Sequence, residues 1–141
     1  MSTCVFARRF FYGCMLFQRN KPPDDPKALG RWGEVQAKRY LQNAGLSFLQ
    51  GNYRCPTGEI DLIMVDSDRT LVFVEVKTRT NESFQALETA ITYPKQQRMI
   101  RAARRFVRQH DLRDRPYRFD VVVLSKADPA DIRHYVRAFV P

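Results

Sequence analysis

The sequence lacks the features that would place it outside the ordinary globular proteins. No apolar run reaches the roughly 18 uninterrupted residues of a membrane-spanning helix. There is no internal repeat and no long polar tract, and 44% of the 141 residues are hydrophobic. We therefore expect a soluble protein with one compact domain, and neither a membrane span nor a disordered chain.

Cysteine and histidine are also scarce. Cys4, Cys14 and Cys55 are an odd number of cysteines with no CxxC pair, and the two histidines, His110 and His134, lie far apart in the chain. A structural zinc site needs about four nitrogen or sulfur ligands at short spacing, so this pattern argues against one. Both histidines are interpreted as surface or packing residues, and the cysteine usage favours a reducing, cytoplasmic location.

Acidic residues are outnumbered by basic ones. The chain has 24 Lys+Arg against 15 Asp+Glu, a net charge of +9. Residues 79–119 hold ten basic and four acidic side chains, whereas residues 28–78 hold six of each. This excess predicts nucleic acid as the partner; an anionic membrane surface is less favoured, and a protein that is merely basic is the third interpretation.

The N-terminal part of the chain differs from the rest in composition. Residues 1–20 contain three arginines and no acid, and residues 21–26 contain three prolines, which cannot continue a helix or a sheet interior. We expect residues 1–26 to form a flexible basic arm and a proline-rich linker, and residues 27–141 to form the folded domain.

Periodicity and turn residues predict two helices and five strands. The helices are predicted over residues 28–44 and from Pro94 to about His110. The strands are predicted over residues 46–53, 58–65, 71–78, 118–124 and 132–139, with a hairpin turn at residues 66–69. Gly30 and Gly33 lower the helix propensity of the first helix, which we expect to be offset by close approach of another backbone.

Charged residues alternate along two of the predicted strands. Asp61 lies in the first, Glu75 and Lys77 share one face of the second, and pairing through the turn would bring all three to the polar side of the sheet. Two neighbouring carboxylates with open water positions suit Mg²⁺ or Mn²⁺, and a lysine can orient or deprotonate an attacking water. A cross-strand salt bridge on a solvent-facing surface explains the same alternation equally well.

Four motifs stand out along the chain. They are Gly30-x-x-Gly33-Glu34, Gly58-Glu59-Ile60-Asp61-Leu62-Ile63, Phe73-Val74-Glu75-Val76-Lys77-Thr78-Arg79 and Arg118-Phe119-Asp120-Val121-Val122. Asp61 followed by Glu75-Val76-Lys77 at the end of an apolar strand resembles the PD-(D/E)xK nuclease superfamily, which includes restriction endonucleases and archaeal Holliday junction resolvases. The whole set is similar to the UPF0102 (YraN-like) family, and the resemblance covers residues 28–141.

The superfamily resemblance implies roles for individual residues. Asp61, Glu75 and the Val76 carbonyl would bind the metal, Lys77 would handle the attacking water, and Glu34 would complete the site as a further metal-binding and catalytic acid. Ile60 stands where the superfamily usually has proline. Glu59 has no settled role, and we favour a strand-end acid that pairs with an arginine over a metal ligand.

The second predicted helix is basic on one side. Its apolar stripe leaves an opposite arc of arginines, and like charges at three- and four-residue spacings destabilise a helix unless anions meet them. We therefore predict that this arc binds nucleic-acid phosphates, with a merely solvated face as the alternative. The predicted contact residues are Lys95, Arg98, Arg101, Arg105 and Arg108.

Together these observations predict a single α/β domain with a mixed central sheet flanked by helices, of restriction-endonuclease-like fold. The function that they favour is a Mg²⁺-dependent endonuclease acting on DNA, with branched or damaged DNA as the suggested substrate. The first alternative is a nucleic-acid-binding module whose nuclease-like site is idle, and the second is a protein-interaction scaffold.

Overall fold

The computed structural model describes residues 21–80 and 91–141. In this part of the chain two helices and five strands follow one another in the order α1 (Pro26–Asn43), β1 (Ser47–Cys55), β2 (Gly58–Val65), β3 (Leu71–Arg79), α2 (Tyr93–Gln109), β4 (Tyr117–Ser125) and β5 (Ile132–Phe139). Each bound lies within two residues of the sequence-based expectation. The predicted basic arm, residues 1–20, lies outside the described residues.

The five strands form one mixed sheet in the order β1-β2-β3-β4-β5. Neighbouring strands are antiparallel except β3 and β4, which are parallel. The chain that connects β3 to β4 includes α2. A parallel pair requires such a crossover, because the chain must return to the starting end of the sheet. The single α/β domain is confirmed, and its architecture is consistent with a restriction-endonuclease-like fold.

The sheet has a hydrophobic core on each face. On one face, Phe73 and Phe119 pack with Met99, Ile100 and Phe106 of α2. On the other face, Val72, Val74 and Val122 pack with Ala37 and Leu41 of α1. The β-branched run of β3 is buried because helices cover both of its faces.

Helix α1 begins at a capped N-terminus and packs through a narrow stripe. The Asp25 side chain accepts a hydrogen bond of 2.7 Å from the Ala28 N–H, and Pro26 follows in the first turn. The buried positions include Gly33 and Gln36, whereas Trp32 and Tyr40 are only half-buried. The side of α1 that packs on the sheet is therefore centred near Gly33 and Gln36, with Trp32 and Tyr40 at its margin.

The two glycines of α1 differ in their surroundings. A β-carbon built at Gly33 would lie 2.0 Å from Thr78 Oγ1 at the end of β3, so α1 approaches β3 closely there. A β-carbon at Gly30 would meet no atom within 4 Å. The expected close approach is found at Gly33, although to side chains of β3 and not to a backbone, and the expectation is wrong for Gly30.

Strands β2 and β3 form the expected hairpin. Asp66 N–H donates to the Thr70 carbonyl and Arg69 N–H donates to the Asp66 carbonyl, which closes the turn. Pairing then runs from Val65↔Leu71 to Leu62↔Val74.

Among the described helices, neither combines the length and the apolar composition that crossing a bilayer requires.

Candidate active site

The candidate site begins where β2 and β3 stop pairing. The last paired residues are Leu62 and Val74, so Asp61 and Glu75 would come next in the register. Instead, Asp61 Oδ2 accepts a hydrogen bond of 2.8 Å from the Val76 N–H. The Asp61 carboxylate thus takes the place of a backbone carbonyl of β2 as the acceptor for the Val76 N–H. The N–H and C=O of one strand residue point to the same edge, so the Val76 carbonyl also faces the Asp61 side.

Glu75 is almost completely buried beside Asp61. Its side chain is 2% exposed, and its Oε1 lies 3.1 Å from Lys77 Nζ. Its Oε2 is also buried and has no hydrogen-bond partner. Glu75 lies on the face that β3 turns toward α2, so the expectation of an open polar side is wrong: the first turns of α2 cover this end of the strand.

Lys95 reaches the carboxylates from α2. Its Nζ lies 3.3 Å from Glu75 Oε2 and 3.3 Å from Glu59 Oε1. Gly58 permits this approach, because a β-carbon there would lie 2.7 Å from the Arg98 carbonyl oxygen of α2. Lys95 was expected to bind phosphate with the arginines of α2, but its ammonium lies at the carboxylates of the site.

Glu59 pairs with an arginine, as expected, but more closely with a lysine. Its Oε2 lies 4.0 Å from Arg54 Nε, whereas its Oε1 lies 3.3 Å from Lys95 Nζ. Glu59, Lys95, Glu75 and Lys77 therefore form, in this order, a chain of alternating charges along one side of the site.

Burial and mutual repulsion change the protonation of the site. Burial, and then the charge of Glu75, raise the pKa of Asp61 from 3.8 to about 7, against the hydrogen bond from Val76 and the charge of Lys95, which lower it. Burial opposes ionisation of Lys95, but the nearby charges of Glu75 and Asp61 outweigh it and raise the Lys95 pKa above its ordinary value. The surroundings of Asp61 thus disfavour its ionised form, even with Lys95 nearby.

Glu34 lies at the margin of the site. It accepts a hydrogen bond of 2.9 Å from Asn52 Nδ2 of β1, and its charge contributes to the raised pKa of Asp61. Within residues 21–80 and 91–141, no three His, Cys, Asp or Glu side chains converge as a metal cage. The role of Glu34 as a metal ligand stays a prediction.

The chemistry of the donor set fits a hard divalent cation. Asp61 and Glu75 supply two carboxylates, the Val76 carbonyl faces the same side, and Glu75 Oε2 is a buried oxygen that is paired with Lys95 at 3.3 Å but makes no well-directed hydrogen bond. Mg²⁺ and Mn²⁺ accept oxygen ligands and usually keep several waters, so two carboxylates are enough to hold them.

An open cleft lies beside these groups. It has a volume of about 400 Å³ and brings together basic and hydroxyl side chains from β3 and α2. The residues that line it are Lys77, Thr78, Arg79, Ile91, Thr92, Lys95 and Arg98. Lys77 is 42% exposed toward solvent, so its ammonium can reach a molecule bound in the cleft.

The arginines of α2 continue from this cleft along the helix. Arg98, Arg101, Arg104 and Arg108 are exposed, whereas Arg105 is half-buried, and its Nε is buried without a hydrogen-bond partner. A second groove of about 320 Å³ follows at the other end of the helix, and its lining includes Arg104, Arg108, Arg113 and Tyr117. Of the predicted contact residues, Arg98, Arg101 and Arg108 are therefore exposed, whereas Lys95 and Arg105 are not, and the groove adds Arg113 to the surface.

Another buried carboxylate, that of Asp120, is held by neighbouring protein groups. Asp120 is fully buried in β4, where it accepts hydrogen bonds from Arg118 Nε at 3.1 Å and from the Arg137 N–H at 3.0 Å. His134 Nε2 lies 2.7 Å from its other oxygen. Asp120 is thus satisfied by its neighbours, and His134 is a packing residue, as expected. His110 is exposed and stacks on Phe106.

Comparison with known proteins identifies the family. The model of the uncharacterised protein family UPF0102 matches residues 33–124, which include Asp61, Glu75 and Lys77. A UPF0102 protein of Geotalea daltonii is 42% identical over 123 residues, covering 86% of this chain and 96% of the relative. A UPF0102 protein of Nitrosomonas eutropha is 46% identical over 99 residues, covering 70% of this chain and 84% of the relative. The chain therefore belongs to the uncharacterised protein family UPF0102.

Proposed function

We propose that this protein is a metal-dependent nuclease that hydrolyses phosphodiester bonds of DNA. The observation that carries the proposal is the meeting of Asp61 and Glu75 at the point where β2 and β3 separate, with Lys77 3.1 Å from Glu75. The resemblance of these residues to the PD-(D/E)xK nucleases supports the same assignment.

Asp61, Glu75 and the Val76 carbonyl are the groups that would hold Mg²⁺ or Mn²⁺. When bound, the cation would act as a Lewis acid on the scissile phosphate and would compensate the two carboxylates. The Val76 N–H fixes Asp61, and the burial of Glu75 excludes water from one side of the site.

Lys77 is the residue that we assign to the attacking water. It is anchored to Glu75 Oε1 but remains 42% exposed in the cleft, so it lies between the buried carboxylates and the solvent. An ammonium in this position can orient a water molecule and stabilise developing charge on the phosphate.

The basic surface of α2 supports nucleic acid as the substrate. The cleft contains Lys77, Arg79 and Arg98, and the exposed arginines continue to the groove at Arg113. Phosphates are the anions that compensate such a row of guanidinium groups, and contacts of this kind position a nucleic acid without reading its bases.

A specific observation favours a second candidate, a nucleic-acid-binding module without catalysis. Two lysines, Lys77 and Lys95, already contact Glu75, so part of the negative charge is balanced by the protein itself. In this alternative the charged cluster stabilises the fold, and only the surface of α2 is functional.

A cleavage assay distinguishes the two candidates. Purified protein is incubated with linear, single-stranded and four-way DNAs in Mg²⁺, Mn²⁺ or EDTA. We expect cleavage that requires the metal, and the Lys77→Met variant should bind DNA almost normally yet cleave none of the substrates. The matched control is Lys126→Met, which removes a lysine that pairs with exposed Asp24.

The outcomes have different meanings. DNA binding without cleavage of any substrate would favour the non-catalytic module. Cleavage by Lys77→Met at the wild-type rate would return Lys77 to the role of a salt-bridge residue.

A further inference from the structure

Lys95 contacts the Glu75 carboxylate, which is also a proposed ligand of the divalent cation. Its Nζ is 3.3 Å from the buried oxygen Glu75 Oε2, an ion pair without a well-directed hydrogen bond, and the Lys95 side chain is only 15% exposed. The same Nζ is 3.3 Å from Glu59 Oε1, whose side chain is 54% exposed. One ammonium is thus shared between a buried carboxylate of the site and a carboxylate at its rim.

We propose that the Lys95 ammonium and the divalent cation compete for Glu75, and that Glu59 regulates this competition by drawing Lys95 toward the rim. This inference rests on the metal site of the proposed function. Lys95 and Glu59 are positioning residues, because they act on the cation through Glu75.

The competition follows from the charges of the site. Asp61 and Glu75 repel one another when both are ionised, and in the absence of a divalent cation Lys95 is the cation of α2 that compensates them. A cation that binds Glu75 is repelled by an ammonium 3.3 Å from the same carboxylate oxygen. Binding therefore requires Lys95 to loosen from Glu75, and Glu59 offers it another partner.

A structural role for Lys95 predicts the opposite sign. If Lys95 only held Glu75 in the geometry needed for ligation, its removal would weaken cation binding. If Lys95 competes with the cation, its removal strengthens binding. The direction of the change in affinity therefore separates the two roles without measuring activity.

Calorimetric titration with Mn²⁺ tests the proposal. Lys95→Gln removes the charge but keeps an amide donor near Glu75 Oε2, and we expect it to bind Mn²⁺ about tenfold more tightly than the wild type. Lys95→Arg, which keeps the charge, should stay within about twofold of the wild type. Lys126→Gln, an equal loss of charge beside Asp24, should also leave the affinity unchanged.

A double-mutant cycle tests the role of Glu59. Glu59→Gln leaves Lys95 with Glu75 alone, so it should weaken Mn²⁺ binding several-fold in the wild-type background. In the Lys95→Gln background the same change should have little effect, because the competing ammonium is gone. An equal loss in both backgrounds would mean that Glu59 acts by its own charge, and would overturn its proposed role.

Thermal unfolding shows whether the Lys95→Gln variant is folded and whether Mn²⁺ binds its folded state. Because a ligand stabilises the state that it binds, Mn²⁺ should raise the melting temperature of Lys95→Gln by more than that of the wild type. Equal or weaker Mn²⁺ binding by Lys95→Gln, with wild-type binding intact, would overturn the competition but not the proposed function. Absence of Mn²⁺ binding by both the wild type and Lys95→Gln would overturn both, whereas binding by Lys95→Gln alone would support the competition.

Discussion

Asp61 combines an unfavourable environment with a specific anchor. Burial and Glu75 disfavour its ionised form, whereas the Val76 N–H holds it in place. Its folded pKa of about 7 exceeds its ordinary value of 3.8, so between these values the folded protein binds more protons than the unfolded chain. The contribution of Asp61 to stability therefore falls as the pH rises through this window.

The Asp61→Asn variant should be more stable than the wild type in EDTA at pH 8. The asparagine oxygen can still accept the Val76 N–H, and the charge repulsion with Glu75 is removed. One pKa unit corresponds to about 1.4 kcal/mol, so we expect an advantage of about 2 kcal/mol that shrinks as the pH falls from 7 to 4. Urea unfolding at several pH values measures it.

Two results check this interpretation of Asp61. Added Mn²⁺ should stabilise the wild type more than Asp61→Asn, because the variant lacks one of the two carboxylates. A variant that is less stable than the wild type across the whole pH range would mean that the hydrogen bond to Val76 depends on the carboxylate form.

Single residues also show what the sequence could predict about the site. Strand alternation correctly placed Lys77 beside Glu75, because residues two apart in a strand share a face. The approach of Lys95 could not be predicted, because it depends on how α2 crosses the sheet. The sequence shows only that Lys95 lies one step outside the arginine stripe, and this position alone does not indicate a contact with Glu75.

At the scale of elements, the contact between α1 and β3 holds the end of β3 that carries the site. Gly33 faces Thr78, the residue after Lys77, whereas Gly30 is exposed on the same helix. The sequence predicted the helix and both glycines within it. It could not distinguish the glycine at the contact from the exposed one, since the rotation of α1 is set by packing against the sheet.

The two glycines should respond oppositely to alanine. Gly30→Ala should raise the free energy of unfolding by about 0.5–1 kcal/mol, because alanine favours the helix and meets no neighbouring atom. Gly33→Ala should lower it by about 1–2 kcal/mol, because its β-carbon would displace Thr78 Oγ1. Chemical denaturation measures both.

The Thr78→Ala background provides the control for this pair. Without the hydroxyl, the β-carbon at position 33 would meet the β-carbon of residue 78 at 3.4 Å and Val76 Cγ1 at 3.7 Å, so Gly33→Ala should lose most of its effect. Destabilisation that persists in this background would locate the strain elsewhere in α1.

At the scale of the whole molecule, negative and positive charges are separated by the fold. The buried carboxylates lie at the end of β3, and the crossover to β4 brings the start of α2 over them and carries its arginines away along the helix. The sequence predicted this division, because acids and bases fall in different segments. It could not predict that Arg105 is half-buried, since that depends on its neighbours in β1.

The exposed arginines of α2 should determine how DNA affinity depends on salt. Each phosphate contact releases counterions and contributes about 0.9 to the slope of log K against log[salt] on duplex DNA. Arg101→Ala/Arg108→Ala removes two exposed guanidinium groups and should lower the slope by roughly two, with similar loss of affinity across sequences. Arg39→Ala/Arg69→Ala, an equal loss of exposed charge outside α2, should change the slope much less. An unchanged slope in the α2 variant would mean that its arginines face solvent, and an Arg8→Ala/Arg9→Ala/Arg19→Ala variant would then test whether the N-terminal bases bind the DNA.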